Sequence, residues 1–250
     1  MKFVETTLNG LHKIVLPQHR AERPEWHNEV GWEKARLNHM FHKIGEGDVV
    51  YYAGSELGEF AALCQMWGAR VVNIEPNHLS WPVIRGTWEA NKLSPPLLNF
   101  AGFASNVTRL EPKNPNRELR QTLYKGKGWE LVNGWPRYSQ GRIVKAHGFN
   151  ELYLEADGHP QVKLDDIPSE FGIDPPTVII MDVEGSEYEV LKGSEELIKD
   201  YKPKIYLSLH PEFLYHQYRV YSREVRDWLK DRGYTEKLLD YEHEVHLYYE

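Results

Sequence analysis

An open α/β fold on a mostly parallel sheet is what this sequence predicts. Three observations predict it: short apolar runs alternating with helical stretches over residues 48–106 and again from 177, glycines at the junctions, and a tail that alternates like an antiparallel hairpin. Strands that alternate with helices pair in parallel through right-handed crossovers. A length of 250 residues accommodates one such domain, so 1–250 reads as a single unit.

Taken in order, residues 1–47 read as a helical lead-in. The helix spans Glu29–His42, where Val30, Leu37 and Phe41 recur at near-helical spacing. Asp48–Tyr52 is a strand, Glu59–Trp67 a helix closed by Gly68, and Val71–Ile74 a second strand. Trp88–Lys92 ends another helix, and Leu97–Ala101 is a third apolar run after Pro95 and Pro96. The rhythm returns at Thr177–Met181, a buried-strand signal of Val and Ile. Ser186–Lys192 follows as a helix stopped by Gly193, and Ser194 offers an N-cap for Glu195–Tyr201. Lys204–Leu209 is a strand. Ser222–Arg232 is an amphipathic helix with Val225, Trp228 and Leu229 on one side, ended by Gly233. Tyr234–Tyr249 closes the chain as the hairpin.

Between these halves, residues 107–150 carry nine Lys/Arg against three Asp/Glu, interleaved with Tyr124, Trp129, Trp135 and Tyr138. So long a stretch without periodicity inside a compact domain reads as a functional loop or lid. Its aromatics suit stacking on a sugar or base, and Arg137, Arg142 and Lys145 suit phosphate. A surface insertion whose aromatics pack on the domain is the competing reading.

Composition sets the bounds. Hydrophobic residues at 41% and charged residues at 27% match a soluble globular chain, and no stretch nears the ~18 apolar residues of a membrane span. The N-terminus lacks the layout of a secretory signal. Cys64 is the sole cysteine, which excludes an intrachain disulfide and any multi-cysteine metal site and fits a reducing cytoplasm. A net charge of −7 argues against general binding of nucleic acid.

Two features point to a nucleoside. Gly54-Ser55-Glu56-Leu57-Gly58 sits between a strand and a helix, where Gly54 permits a tight turn close to a ligand and Gly58 close packing of the helix. Glu75 ends the next strand, 21 residues after Gly54, a spacing at which a carboxylate accepts both ribose hydroxyls. The second glycine of a dinucleotide fingerprint is missing, and Glu56 stands in its place. That carboxylate repels a pyrophosphate but suits a ligand bearing a sulfonium and an ammonium. S-adenosylmethionine is therefore expected over NAD.

At this point the chain resembles the FkbM-type methyltransferases over roughly residues 45–245. The resemblance rests on Gly47–Val50 leading into Gly54–Gly58, on Val71–Asn77 with Glu75, Pro76 and Asn77, on Val162–Ile167, and on the run Asp182–Gly193. It implies a Rossmann-like class I methyltransferase with a seven-stranded sheet, helices on both faces, and O-methylation of sugar or polyketide hydroxyls. It also implies an acid where this chain has Tyr52, Asn or His at Glu56, and Lys at Ile180. One charge pair at ~4 Å and an effective dielectric near 20 is worth ~4 kcal/mol before desolvation, so Glu56 is expected to restore the charge missing at Tyr52.

Methyl transfer to a hydroxyl needs alignment and a base. Asp182 ends the fourth strand, Glu184 lies in its turn, and His210 ends the Ile205–Leu209 strand ahead of Pro211. These three are the expected catalytic residues. The expected cofactor contacts are Tyr52, Gly54, Ser55, Glu56, Gly58, Glu75, Pro76, Asn77 and Asp182. Glu187 and Glu189 read as a solvated helix face, Asp165 and Asp166 as the opening of a turn, and no metal is expected. The expected acceptor is a small molecule or glycan. The competing readings are a cofactor-binding partner protein without turnover, and a nucleic-acid methyltransferase that uses the basic insertion.

Overall fold

The computed structural model describes residues 1–77, 79–110, 131–132, 135–136, 159–241 and 244–250. The chain opens with a hairpin, β1 (Phe3–Leu8) and β2 (His12–Pro17), followed by α1 (Gln18–Ala21) and α2 (Lys34–Lys43). Next come β3 (Val49–Ala53), α3 (Glu59–Met66), β4 (Arg70–Ile74), α4 (Trp81–Ala90) and β5 (Leu98–Phe100). Short pieces follow: β6 (Phe103–Ala104), β7 (Leu131–Val132), β8 (Trp135–Pro136), β9 (Gln161–Val162) and α5 (Ile167–Phe171). The second half holds β10 (Val178–Met181), α6 (Glu187–Lys192), α7 (Glu195–Tyr201) and β11 (Lys204–Leu209). It closes with α8 (Pro211–Phe213), α9 (Ser222–Asp231), β12 (Glu236–Tyr241) and β13 (Val245–Tyr249).

The central sheet has seven strands in the order β12-β13-β11-β10-β3-β4-β5. β11, β10, β3, β4 and β5 run parallel, and β13 returns antiparallel between β11 and β12. This is the Rossmann-like α/β fold with the closing hairpin that the sequence predicts. Period-two alternation splits each buried strand between two cores. Val50 and Tyr52 of β3 and Val178 and Ile180 of β10 face Leu37, Met40, Phe60 and Trp88 of α2, α3 and α4. Tyr51, Ala53, Ile179 and Met181 face Val190, Leu197 and Leu229 of α6, α7 and α9. Burying each Val or Ile contributes roughly 1.5–3 kcal/mol, which explains the near-continuous apolar runs.

Four local expectations are corrected. The first segment is not simply a helical lead-in. Asn9 and Gly10 both take positive φ, 52° and 73°, in a three-residue hairpin loop, Asn9–Leu11, whose Leu11 N–H donates to the Leu8 carbonyl at 3.0 Å. The helix starts at Lys34 instead of Glu29, because Gly31 and Glu33 are left-handed and interrupt it, and Val30 is left exposed. Ser194 does not cap α7 with its side chain: its hydroxyl donates back to the Val190 carbonyl. The carboxylate of Asp165 caps that helix from another segment, accepting from the backbone N–H of Leu197 at 2.9 Å and of Glu196 at 3.2 Å. Glu187 is fully buried rather than solvated.

In the 107–150 segment, Trp135 is buried edge-on against Trp88 with ring centroids 6.0 Å apart, so it packs on the domain. Tyr124, Trp129, Arg137, Tyr138, Arg142 and Lys145 lie outside the described residues. Among the described residues no helix is long and apolar enough to cross a membrane.

Gly54 has φ +79°, and a Cβ there would lie 1.7 Å from the Asp182 carbonyl oxygen. Gly54→Ala is expected to cost roughly 3 kcal/mol or more, combining overpacking with left-handed strain. Gly172→Ala, also at positive φ but with open space around it, should cost only about 1–2 kcal/mol. Urea denaturation midpoints of the two variants check the difference.

Candidate functional site

The chain leaves β3 toward β4 on one side and β10 toward β11 on the other, so the strand order reverses between them. In open α/β sheets the ligand crevice lies at that reversal, beyond the carboxyl ends of the strands. Here the β3 end carries Gly54 and the β10 end carries Asp182. Gly54 does admit a close backbone approach, but the partner is the Asp182 main chain rather than a ligand. Gly58 is left-handed too, and a Cβ there would meet Ile84 and Trp88 of α4 at 3.1 Å; it serves helix–helix packing.

Glu75 is buried and holds the turn in place. Its Oε2 accepts from the Glu56 backbone N–H at 2.8 Å and its Oε1 from Asn77 N–H at 2.7 Å. Burial pushes this carboxyl up to about 8, against the two N–H bonds that favour the anion. A narrow cleft of about 40 Å³ opens above the turn. Tyr52, Gly54, Ser55, Glu56 and Asp182 form one wall, whereas Gly58, Glu75, Pro76 and Asn77 support it without lining it. Arg20, Trp26, Trp32 and Glu33 from the first 47 residues form the other wall.

Glu56 stands at φ +49°, an unusual conformation for a non-glycine residue. Its carboxylate is largely exposed and lies 3.2 Å from Arg20, which also pairs with buried Glu59. Tyr52 is buried, and its hydroxyl accepts from Arg36 at 3.4 Å. Ile180 is the register partner of Tyr52 on β10 and shares its core. Two of the three departures from the family pattern are thus cross-strand neighbours. A neutral pair replaces the acid and lysine that the resemblance implies, and well-packed apolar replacements of buried ion pairs are often neutral or stabilising.

Beyond the β10 end, the Asp182-Val183-Glu184-Gly185-Ser186-Glu187 run forms a charged cluster with β11 and β13. Arg36, fully buried, reaches Asp182 at 3.2 Å and also pairs with Glu33. His210, at the end of β11, lies between carboxylates. Its Nδ1 is 2.6 Å from Glu187, and its Nε2 is 2.6 Å from Glu244, 3.2 Å from Glu184 and 3.7 Å from Asp182. Burial alone would lower the imidazole, but the bonds to Glu187 and Glu244 win and raise it to about 11. Burial likewise pushes Glu244 up, yet His210 overrides it and holds the carboxyl near 2. Glu184 responds oppositely: burial raises it to about 7 despite His210. Its backbone, at φ +52°, is the second strained non-glycine turn at the strand ends. Gly185 is needed because a Cβ would lie 2.6 Å from Phe213 Cβ.

The structure therefore brings together Asp182, Glu184 and His210, as the sequence predicts, with ligand-type atoms all within 4.8 Å of one another. A second such group is Glu33, Glu244 and His246. Each combines two carboxylates with one imidazole, and an imidazole nitrogen takes a divalent ion only when it is neutral. Sequence reasoning missed Arg20, Glu33, Arg36, Glu187, Ser208, Glu244 and His246. Ser208 bridges Asp182 at 3.3 Å and His246 at 3.1 Å. A readable signal existed only for Glu33 and Arg36, opposite charges at helical spacing around an apolar stripe.

A family model described as Methyltransferase FkbM domain matches residues 48–236. No protein of curated function matches the sequence. Among solved structures, methyltransferase FkbM from Methylobacillus flagellatus KT is 17% identical over 87% of this chain and 51% of that one, with a TM-score of 0.49. Aeropyrum pernix fibrillarin, solved with natively bound S-adenosyl-L-methionine, is 12% identical over 82% of this chain and 66% of that one, at a TM-score of 0.42. Pyrococcus abyssi tRNA (uracil-54, C5)-methyltransferase, in complex with S-adenosyl-L-homocysteine, is 14% identical over 100% and 44%, at 0.47. The chain spans about half the length of the M. flagellatus protein.

The charge on His210 has a consequence for stability. An imidazole raised on folding contributes stability that is fully present below the unfolded value near 6.5 and lost as pH climbs toward about 11. Melting temperatures measured between pH 7 and 11 should fall in the wild type. In His210→Gln the melting temperature starts lower at pH 7, and the fall across this window is smaller.

Proposed function

This chain belongs to the FkbM methyltransferase family, and from that premise we propose that it transfers the methyl group of S-adenosylmethionine to a hydroxyl oxygen of a sugar or similar small polar acceptor. When bound, that cofactor supplies an activated methyl group on a sulfonium. The residues fit it. The glycine turn carries a buried Ser55 hydroxyl with no partner, Glu56 offers an exposed carboxylate, and Glu75 holds the loop against the β4 end.

The observation that carries the oxygen-directed reading is Glu184. Its carboxyl is raised to about 7 and stands beside Asp182, which lines the cleft. A base works best when its own pKa lies near the working pH. Glu184 receives the acceptor's proton in this reading. His210, occupied on both nitrogens and raised to about 11, is a positioning residue rather than the base. Asp182 is engaged with Arg36 and fixes the start of the turn. The three catalytic residues expected from sequence thus divide into one proton acceptor and two supports.

Glu184→Gln should lower kcat by about 10²–10⁴ while leaving the affinity for S-adenosylhomocysteine within a few-fold. Because the base must be deprotonated, wild-type kcat/KM should rise with pH through about 7, and the variant's profile should be flat there. Product formation from a panel of glycosides and polyols, read by mass spectrometry, tests acceptor class. Methylation of polynucleotide but of no hydroxylated small molecule would overturn the acceptor assignment.

A further inference from the structure

The cleft's second wall comes from residues that precede the matched family region 48–236. We infer that this N-terminal segment supplies the binding site for a zwitterionic α-amino-acid head group, with Arg20, Trp26 and Ser55 holding its carboxylate and Glu56 its ammonium. The inference rests on the cofactor reading above and assigns the amino-acid end of that molecule to particular side chains.

Three polar atoms carry it. Among the described residues that line the cleft, Arg20 Nε, Trp26 Nε1 and Ser55 Oγ are buried and have no hydrogen-bond partner. Each belongs to a side chain more than nine-tenths buried: Arg20 is 7% exposed, Trp26 1% and Ser55 6%. Leaving a buried donor unmade costs about 1–3 kcal/mol, and three at one cleft are explained by a ligand that accepts from them. Two are obligate N–H donors and the third a hydroxyl that can donate, so the matching group is an acceptor with several lone pairs. A carboxylate has that inventory.

Charge narrows the ligand further. Arg20 is already balanced by Glu59 and Glu56, so a bare anion entering here would meet a surplus of negative charge. A zwitterion does not. Its carboxylate takes the free Nε edge of Arg20, and its ammonium takes Glu56, whose carboxylate is 69% exposed and aligned by the strained turn at φ +49°. The Arg20 position itself is fixed from behind, because its Nη2 is committed to Glu59. The acid expected from sequence to replace the charge missing at Tyr52 is thus one half of a pair, and its other half lies 36 residues earlier.

Calorimetric titration with two nucleosides tests this. S-adenosylhomocysteine carries the amino-acid head; 5′-methylthioadenosine keeps the adenosine and sulfur but lacks the head. Arg20→Lys keeps the charge beside Glu59 and removes the Nε donor, and Trp26→Phe keeps a packed ring and removes the indole N–H. Each variant should weaken S-adenosylhomocysteine by about 10-fold or more while 5′-methylthioadenosine stays within about 2-fold. Equal losses for both nucleosides, or no loss for either in both variants, would overturn the inference and leave the cofactor reading standing. If the wild type binds neither nucleoside, the cofactor reading itself fails and takes the head-group site with it. Thermal melts of both variants confirm folding, and Ser55→Ala gives the same readout should Arg20→Lys not fold.

Discussion

The close contact between the ends of β3 and β10 is the constraint on which this molecule depends. Gly54 lies against the Asp182 carbonyl with no room for a side chain, and Asp182 turns its carboxylate to Arg36. That contact fixes two turns at once. One carries Ser55 and Glu56, the other Glu184 and Gly185, and both non-glycine acids stand in left-handed backbone. Strain of this kind persists only where the surroundings over-determine the conformation, as buried Glu75 does for the first turn and Glu187 for the second.

Electrostatics then distributes the work among acids that look equivalent in the sequence. Glu187 and Glu244 hold His210 charged, and His210 holds Glu244 ionised at about 2. Glu184, farther from that ring, stays near 7 because burial outweighs it. Similar carboxylates, a few ångströms apart, thus have different proton affinities set by burial and hydrogen bonding. Five acids gather around Arg36 and His210, so the strand ends carry more negative than positive groups, the sign that a sulfonium requires under the proposed reading.

Tyr52 and Ile180 show how a departure from a family pattern changes meaning once register is known. Read along the chain, each removes a charge and suggests a damaged site. Across the sheet they are direct partners, buried in one core, so the replacement is a balanced one. Arg36 approaches the tyrosine hydroxyl and brings the cation back to this neighbourhood from a helix outside the matched region.

Strand–helix alternation, the parallel sheet with its closing hairpin, the glycine turn and the clustering of Asp182, Glu184 and His210 are all legible along the chain. These are local: apolar period, junction glycines and strand-end position are written within a few residues of each other. The Asn9-Gly10 hairpin is equally local, whereas the helical spacing of Val30 misleads because Gly31 and Glu33 break the helix. That Asp165 caps a helix 30 residues on, that Glu187 is a buried clamp, and that Arg20, Arg36 and Glu244 complete the strand-end cluster and cleft emerges only on folding. Those contacts join residues up to 146 positions apart, and their energies depend on burial and distance, quantities that arise only when the chain has folded.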